Sequence, residues 1–202
     1  MGAIRNKLSG DTIGGETVPS VVATDVEVVK EGSIYAMRFN GSTSKIDCGD
    51  YSDLTGDLTF LAWVNVVSFG EAGEGRILDN GPMRMSVNSF GGNPIYLLSS
   101  DSGSNSARTA TDSLKKYEWQ LVAFVRRSDG TTNCYLDGIL SNTADQDSGT
   151  PLVGTANITV GNNFAQTRTF DGDIAEVQVI SGLLTAEEIS QVYSSQKHLY
   201  GK

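Results

Sequence analysis

The sequence predicts an all-β sandwich or barrel, with an extended N-terminal arm and one short C-terminal helix. Three observations carry this. About ten short runs of β-type residues follow one another, with nothing helical between them. The joins include Asn80-Gly81, Asp129-Gly130 and Asp137-Gly138, residues that tolerate the positive φ of tight hairpins. A content of 23 Gly against only 4 Pro fits a chain of many tight turns.

Residues 1–32 read as the arm, Gly- and Ser-bearing at first and then "VPSVVATDVEVV", whose alternation predicts one extended strand. The runs that follow are "YAMRF", "SKIDC", "LTFLAWVNV", "GRILD", "RMSV", "IYLLS", "WQLVAFVRR", "TNCYLD", "NITVG" and "IAEVQVI". In "WQLVAFVRR", Trp119, Leu121, Ala123 and Val125 share one face, and Gln120, Val122, Phe124 and Arg126 the other. Both faces are largely apolar, which predicts a central strand. The helix is signalled by Thr185 as N-cap with Glu188 three residues on, a capping box, and by Leu184 and Ile189 at the positions of a hydrophobic staple. It is expected over about 186–194. No repeat or linker divides residues 33–202, which read as one domain.

At 202 residues the chain is long enough to bury a core without staples. With 15 Lys and Arg against 24 Asp and Glu, its net charge of −9 repels nucleic acid and anionic membranes, so neither is an expected partner. The same acidity serves solubility. No window approaches the roughly 18 apolar residues of a membrane span, and no apolar signal core follows a basic start. Cytoplasmic synthesis without a signal peptide is therefore expected. Cys48 and Cys134 lie on separate predicted strands without metal-ligand spacing; two buried thiols are the favoured reading and a single bridge the alternative. The sole histidine, His198, reads as a tail residue, so neither a zinc triad nor a Ser-His pair can be assembled. No glycine loop opens a helix to cradle phosphate.

In order and spacing, "GSIYAMRFNGSTSKIDCGD", "LTFLAWVNV", "EWQLVAFVRR", "NCYLDG", "NITVGNN" and "FDGDIAEVQVISGLLTAEEI" resemble the concanavalin A-like, laminin G-type jelly rolls. The resemblance covers roughly residues 32 to 195. It implies a sandwich of two antiparallel sheets whose last strand leads into a short helix or turn. The family carries lectins, carbohydrate-binding modules, adhesion domains, virion proteins and some glycosidases, so function has to come from the site.

Glycoside hydrolysis needs two carboxyl groups across one bond. The E-x-D-x-x-E strand of the related glucanases is absent, and Asp173 and Glu176 would point to opposite faces of a regular strand. The chain is therefore expected not to be an enzyme. Laminin G-type relatives often hold calcium near one rim, and many read Ile-Asp-Glu-Val where this chain has Ile174-Ala175-Glu176-Val177. Ala175 removes one carboxylate, leaving Asp171 and Asp173 as candidate calcium ligands, with Asp50 and Asp53 on another turn; solvated turn carboxylates are the alternative. Sugar recognition combines an exposed ring with hydrogen-bonding groups. The candidates are Phe69 in "SFGEAGEG", Phe90 in "NSFGGNP", and Asn162, Asn163 and Phe164 in "GNNFAQT", each set against ordinary loop packing. Trp63 and Trp119 read as core residues.

The resulting expectation is a non-enzymatic, lectin-like adhesive subunit. It would decorate a virion, docking on a capsid or tail protein through residues 1–32 and offering its loops to host or environmental glycans. Its oligomeric state is open. A free carbohydrate-binding module or lectin is the alternative, and a glycoside hydrolase the third.

Overall fold

Strand alternation and turn chemistry place the chain in two stacked antiparallel sheets. The structure, a computed structural model, describes residues 21–49, 53–89, 94–99 and 105–202. In chain order its strands are β1 (Val22–Thr24), β2 (Glu27–Glu31), β3 (Ile34–Asn40), β4 (Lys45–Asp47), β5 (Leu58–Ser68), β6 (Arg76–Asp79), β7 (Arg84–Val87) and β8 (Ile95–Leu98). There follow β9 (Ala107–Arg108), β10 (Trp119–Arg126), β11 (Thr131–Leu136), β12 (Ile139–Leu140), β13 (Gln146–Asp147), β14 (Thr159–Val160), β15 (Asp171–Ser181) and the helix α1 (Ala186–Gln196). Among the described residues, one sheet runs β1-β4-β14-β6-β7-β8-β9 and the other β12-β11-β10-β5-β15-β3-β2, with β13 also paired to β11.

The leading segment departs from the expected single strand. Asp25 takes φ 49°, a left-handed conformation open to Asp, and breaks "VPSVVATDVEVV" into β1 and β2. β1 pairs with β4 in the seven-stranded sheet, while β2 pairs with β3 in the eight-stranded one. Residues 22–31 of the expected arm thus edge both sheets of the sandwich, and residues 1–20 lie outside the described residues.

Strands β5 and β10 lie side by side at the centre of the eight-stranded sheet, as the double apolar face of "WQLVAFVRR" requires. Towards the other sheet they send Phe60, Ala62, Val64, Val122 and Phe124, which meet Ile77, Met85, Val87, Ile95 and Leu97 in the inter-sheet core. Outward they send Leu61, Trp63, Leu121 and Ala123, which form a second cluster with Ile189 of α1 and Tyr200 of the terminal 3-10 turn. The C-terminal segment is therefore the cover that makes both faces of these strands interior. Each fully buried side chain of this kind contributes roughly 1.5–3 kcal/mol.

The helix begins where its cap was expected. Glu188 N donates to Thr185 Oγ1 at 3.2 Å and Thr185 N donates to Glu188 Oε2 at 2.8 Å, completing the capping box. Leu184 and Ile189 join the same outer cluster. Asp137 and Gly138, at φ 51° and 79°, make the two-residue turn between β11 and β12, with both residues in the positive φ of a type I′ hairpin. Cys48 and Cys134 are free thiols, so the bridge is not formed. Burial pushes the Cys48 thiol up to about 11 and Cys134 further.

Candidate functional site

The loops expected to hold sugar contacts meet at one end of the sandwich. Glu71 N donates to Thr169 O at 2.9 Å, Ser89 N to Gly73 O at 2.9 Å, and Gln166 Nε2 to Thr43 O at 3.1 Å. The Phe69 and Phe164 loops are thereby joined to each other and to the loop that leads into Phe90, which itself lies outside the described residues. Phe69 is half-buried against the inter-sheet core, with Lys116 Nζ 4.3 Å from its ring centroid. Phe164 is 56% exposed, with Lys45 Nζ 5.2 Å from its centroid.

Asn162 is a correction. An Asn side chain makes four hydrogen bonds at most. Here Nδ2 donates to Ser44 O (3.2 Å) and Thr169 Oγ1 (2.7 Å), while Oδ1 accepts from Asn163 N (2.9 Å) and Arg168 N (3.1 Å). Wholly buried and fully bonded, it ties the rim loops together and has nothing left for a sugar. Asn163 in turn closes the loop on Thr167, whose N–H donates to its Oδ1 at 2.8 Å. Asn162→Ala strands several of these partners and is expected to cost about 2 kcal/mol, or about 4–8 °C in Tm by calorimetry.

The candidate calcium ligands divide in the same way. Both oxygens of Asp173 accept from Arg38, from Nε at 2.8 Å and from Nη2 at 3.0 Å, a bidentate pair on a carboxylate that is 6% exposed. Asp173 is thus one half of an ion pair. Asp171 stands at the start of β15, paired with Asn40 and Ser68. Asp53 accepts from Thr55 Oγ1 at 2.7 Å, and Asp50 lies outside the described residues. Among the described residues, no three His, Cys, Asp or Glu side chains converge as a metal site requires.

The expected geometry of Asp173 and Glu176 is also corrected. Glu176 takes φ 52° where the β15 to β5 register slips between Ala175 and Gln178. This bulge turns Glu176 onto the outer face that Ala175 occupies, rather than the inner one. There its Oε1 accepts from Tyr200 Oη at 3.1 Å and its Oε2 from Gln196 Nε2 at 2.6 Å. The two carboxylates share a face, yet each is held by its own partners.

A different site emerges on the outer face of the seven-stranded sheet. Met85, Val87, Ile95 and Leu97 point into the core, so Arg84, Ser86, Tyr96 and Leu98 point away from it. The register sets Arg76, Ser86, Tyr96 and Arg108 in one row across four strands, and Asp79, Arg84 and Leu98 in the next. A cavity of about 170 Å3 opens over these rows, bounded by Arg84, Tyr96, Leu98 and Arg108, with Glu74, Asn88, Pro94 and Ser106 at its margins.

Arg76 supports this face from below. Buried, it donates from Nη1 to Ser86 Oγ at 2.6 Å and to Tyr96 Oη at 3.4 Å, and its Nε lies 3.2 Å from Asp79. Burial pushes the Asp79 carboxyl up, against the Gly81 N–H and the charges of Arg76 and Arg84 that pull it down. Glu74 stands 3.6 Å from both Arg76 and Arg168, which links the Phe164 loop to the cavity wall. Among the described residues, Arg84 Nε is buried without a hydrogen bond, and the exposed Arg108 guanidinium has no ion-pair partner. The alternation of "RMSV" and "IYLLS" shows which residues leave the core. That β7, β8 and β9 lie side by side is not in the sequence.

Two stacked antiparallel sheets closed by one C-terminal helix define a jelly-roll sandwich. The chain belongs to the concanavalin A-like lectin/glucanase superfamily, whose family description matches residues 40–190. No curated protein sequence matches it. Among solved structures it is similar to the binding domain of Paraclostridial Mosquitocidal Protein 1, at 13% identity and a TM-score of 0.66, over 91% of this chain and 50% of that one. It is similar to domain 4 of AbnA, an extracellular arabinanase from Geobacillus stearothermophilus, in complex with arabinotriose: 18% identity, TM-score 0.63, 89% of this chain and 90% of that one. It is also similar to a Trypanosoma rangeli sialidase mutant, at 15% identity and a TM-score of 0.64, over 88% of this chain and 30% of that one. The chain thus spans half of the toxin binding domain and less of the sialidase, and at these identities the likeness carries the fold alone.

Proposed function

We propose that the chain is a non-enzymatic saccharide-binding module that takes its ligand in the cavity of the seven-stranded sheet. The observation that carries this reading is the cavity itself, a mostly polar recess in which the donors of Arg84 and Arg108 converge over the buried Tyr96 and Pro94. Convergent hydrogen-bonding groups in a recess are what orients a small polar ligand. The arabinotriose complex of the similar AbnA domain supports the reading. Against hydrolysis, Glu74 is the one carboxylate lining the cavity among the described residues, where two facing each other are needed. Because Asp173 is paired with Arg38, EDTA is expected to leave binding unchanged.

Ser106, exposed at the cavity margin, offers a steric test. Ser106→Trp fills the opening and is expected to abolish binding on a glycan array, while Phe164→Ala at the rim retains it. An array without a single hit, or a Ser106→Trp protein that binds as the wild type does, would sink the proposal.

On the same reading the module is displayed on a larger assembly, a virus capsid or tail, through residues 1–32. In support, Val21, Val22, Val28 and Tyr35 are 43, 54, 60 and 66% exposed on and beside the edge strands β1 and β2, an apolar surface suited to a partner. Val28→Asp combined with Tyr35→Asp is expected to release the protein from particles in co-sedimentation. Retention of the double variant on particles would contradict this mode of docking.

A further inference from the structure

Resting on the saccharide-binding reading, we infer that the cavity recognises a sugar unit bearing a carboxylate, gripped by Arg84 and Arg108. The protein carries a net charge of −9, so its overall field repels anions. The cavity reverses that sign locally. Arg84 and Arg108 line it, with Arg76 and Arg168 close by, and among the described residues these four cations face two carboxylates: Glu74, 3.6 Å from both Arg76 and Arg168, and Asp79, 3.2 Å from Arg76 and across the strand pair from Arg84.

Arg84 and Arg108 are both available at the cavity wall, and because the Arg84 Nε is buried, the donors that Arg84 can offer a ligand are those of its terminal Nη pair. A guanidinium presents two parallel N–H donors, and a carboxylate is the acceptor whose two oxygens match them. Arg108, one strand beyond Tyr96, brings a second cation from the opposite side of the ring. A neutral sugar would fill the space and leave Arg108, which has no ion-pair partner among the described residues, uncompensated.

The size of the cavity sets the mode of recognition. At about 170 Å3 it falls below the roughly 300–1,000 Å3 that encloses a drug-sized ligand. It therefore admits one unit, a chain end or a branch, with the carboxylate towards the arginines. The remainder of the glycan would lie across the open sheet face.

The test is calorimetric titration of the full chain with four probe sets. These are oligosaccharides that carry uronic or sialic acids, their methyl esters, sulfated oligosaccharides and neutral ones. Acidic sugars are expected to bind at least about tenfold more tightly than their esters, the loss of one charge-assisted bidentate contact. Arg84→Gln and Arg108→Gln are each expected to weaken the acid by about the same factor and the ester little. Arg84→Lys keeps the charge, loses the fork and should also fall, while added salt weakens the acid alone. Arg108 is exposed, so Arg108→Gln carries the test if Arg84 variants do not fold.

Equal binding of acid and ester overturns the inference. So does preference for sulfated chains with Arg84→Lys intact, because the site would then read a point charge. A neutral glycan that binds and is lost in Ser106→Trp overturns the carboxylate while keeping the saccharide site. If no probe binds, both fall.

Discussion

Deleting residues 186–202 is expected to shift the emission of both tryptophans to longer wavelength and to lower stability by more than the ~3–5 kcal/mol of one buried aromatic truncation. The reason is the construction of the outer cluster. Trp63 stacks on Tyr200 with centroids 3.9 Å apart and an interplanar angle of 10°, and on Tyr193 at 5.8 Å. Its Nε1 donates to Gln196 Oε1 at 2.8 Å. Trp119 meets the edge of Tyr200 at 5.1 Å and donates to Glu31 Oε2 at 2.9 Å. Without the C-terminal segment, Trp63, Leu61, Leu121 and Ala123 become a contiguous exposed patch, so aggregation on heating is expected as well. Unchanged emission and melting would show that the segment is an ornament rather than a cover.

A milder variant isolates one bond of that cover. Tyr200→Phe keeps the stack but removes the hydroxyl that donates to Glu176, a charge-assisted bond worth roughly 1.5–3 kcal/mol when buried. Burial first, then the Glu176 charge and hydrogen bond, hold the Tyr200 hydroxyl well above the ordinary tyrosine range. Its folded pKa is therefore raised above the unfolded value. The contribution is complete below about pH 10 and is lost as pH rises beyond it. Denaturant titrations should show the wild type losing more stability than Tyr200→Phe above that pH.

Gly161→Ala is expected to destabilise the protein by about 2–5 kcal/mol, and in practice to remove most soluble material. A Cβ at this position would lie 1.8 Å from Cε1 and 2.0 Å from Cδ1 of Phe39. That ring is 1% exposed and packs edge-on against Phe170 at 6.3 Å, so it has no free space to enter. The backbone is equally constrained, since Gly161 has φ 77°, donates to Ile77 O at 3.2 Å and accepts from Phe170 N at 2.8 Å. A Gly161→Ala protein with wild-type yield and melting temperature would contradict this packing.

What was legible in the sequence was local or periodic. The capping box of Thr185 and Glu188 and the type I′ turn of Asp137-Gly138 depend on neighbours within a few residues, so their chemistry lies in the sequence itself. The two apolar faces of Trp119 to Arg126 announced a central strand, because a period of two assigns each side chain a face before the sheet is known. The order of the motifs announced the jelly roll.

What only the tertiary structure decided depends on residues distant in the chain. The bulge at Glu176 breaks the period of two where β15 must pair with both halves of β5, so the inference of opposite faces failed there. Asn162 looked like a sugar contact because its residue type serves both roles; its burial against Ser44 and Thr169 made it a structural clamp. Arg84, Tyr96 and Arg108 carry no motif, and only the side-by-side pairing of β7, β8 and β9 gathers them. By itself the sequence determined the elements and their faces, because those follow from local backbone chemistry. The fold decided the site, because convergence of charges across strands is set by register, and register is a property of the assembled sheet.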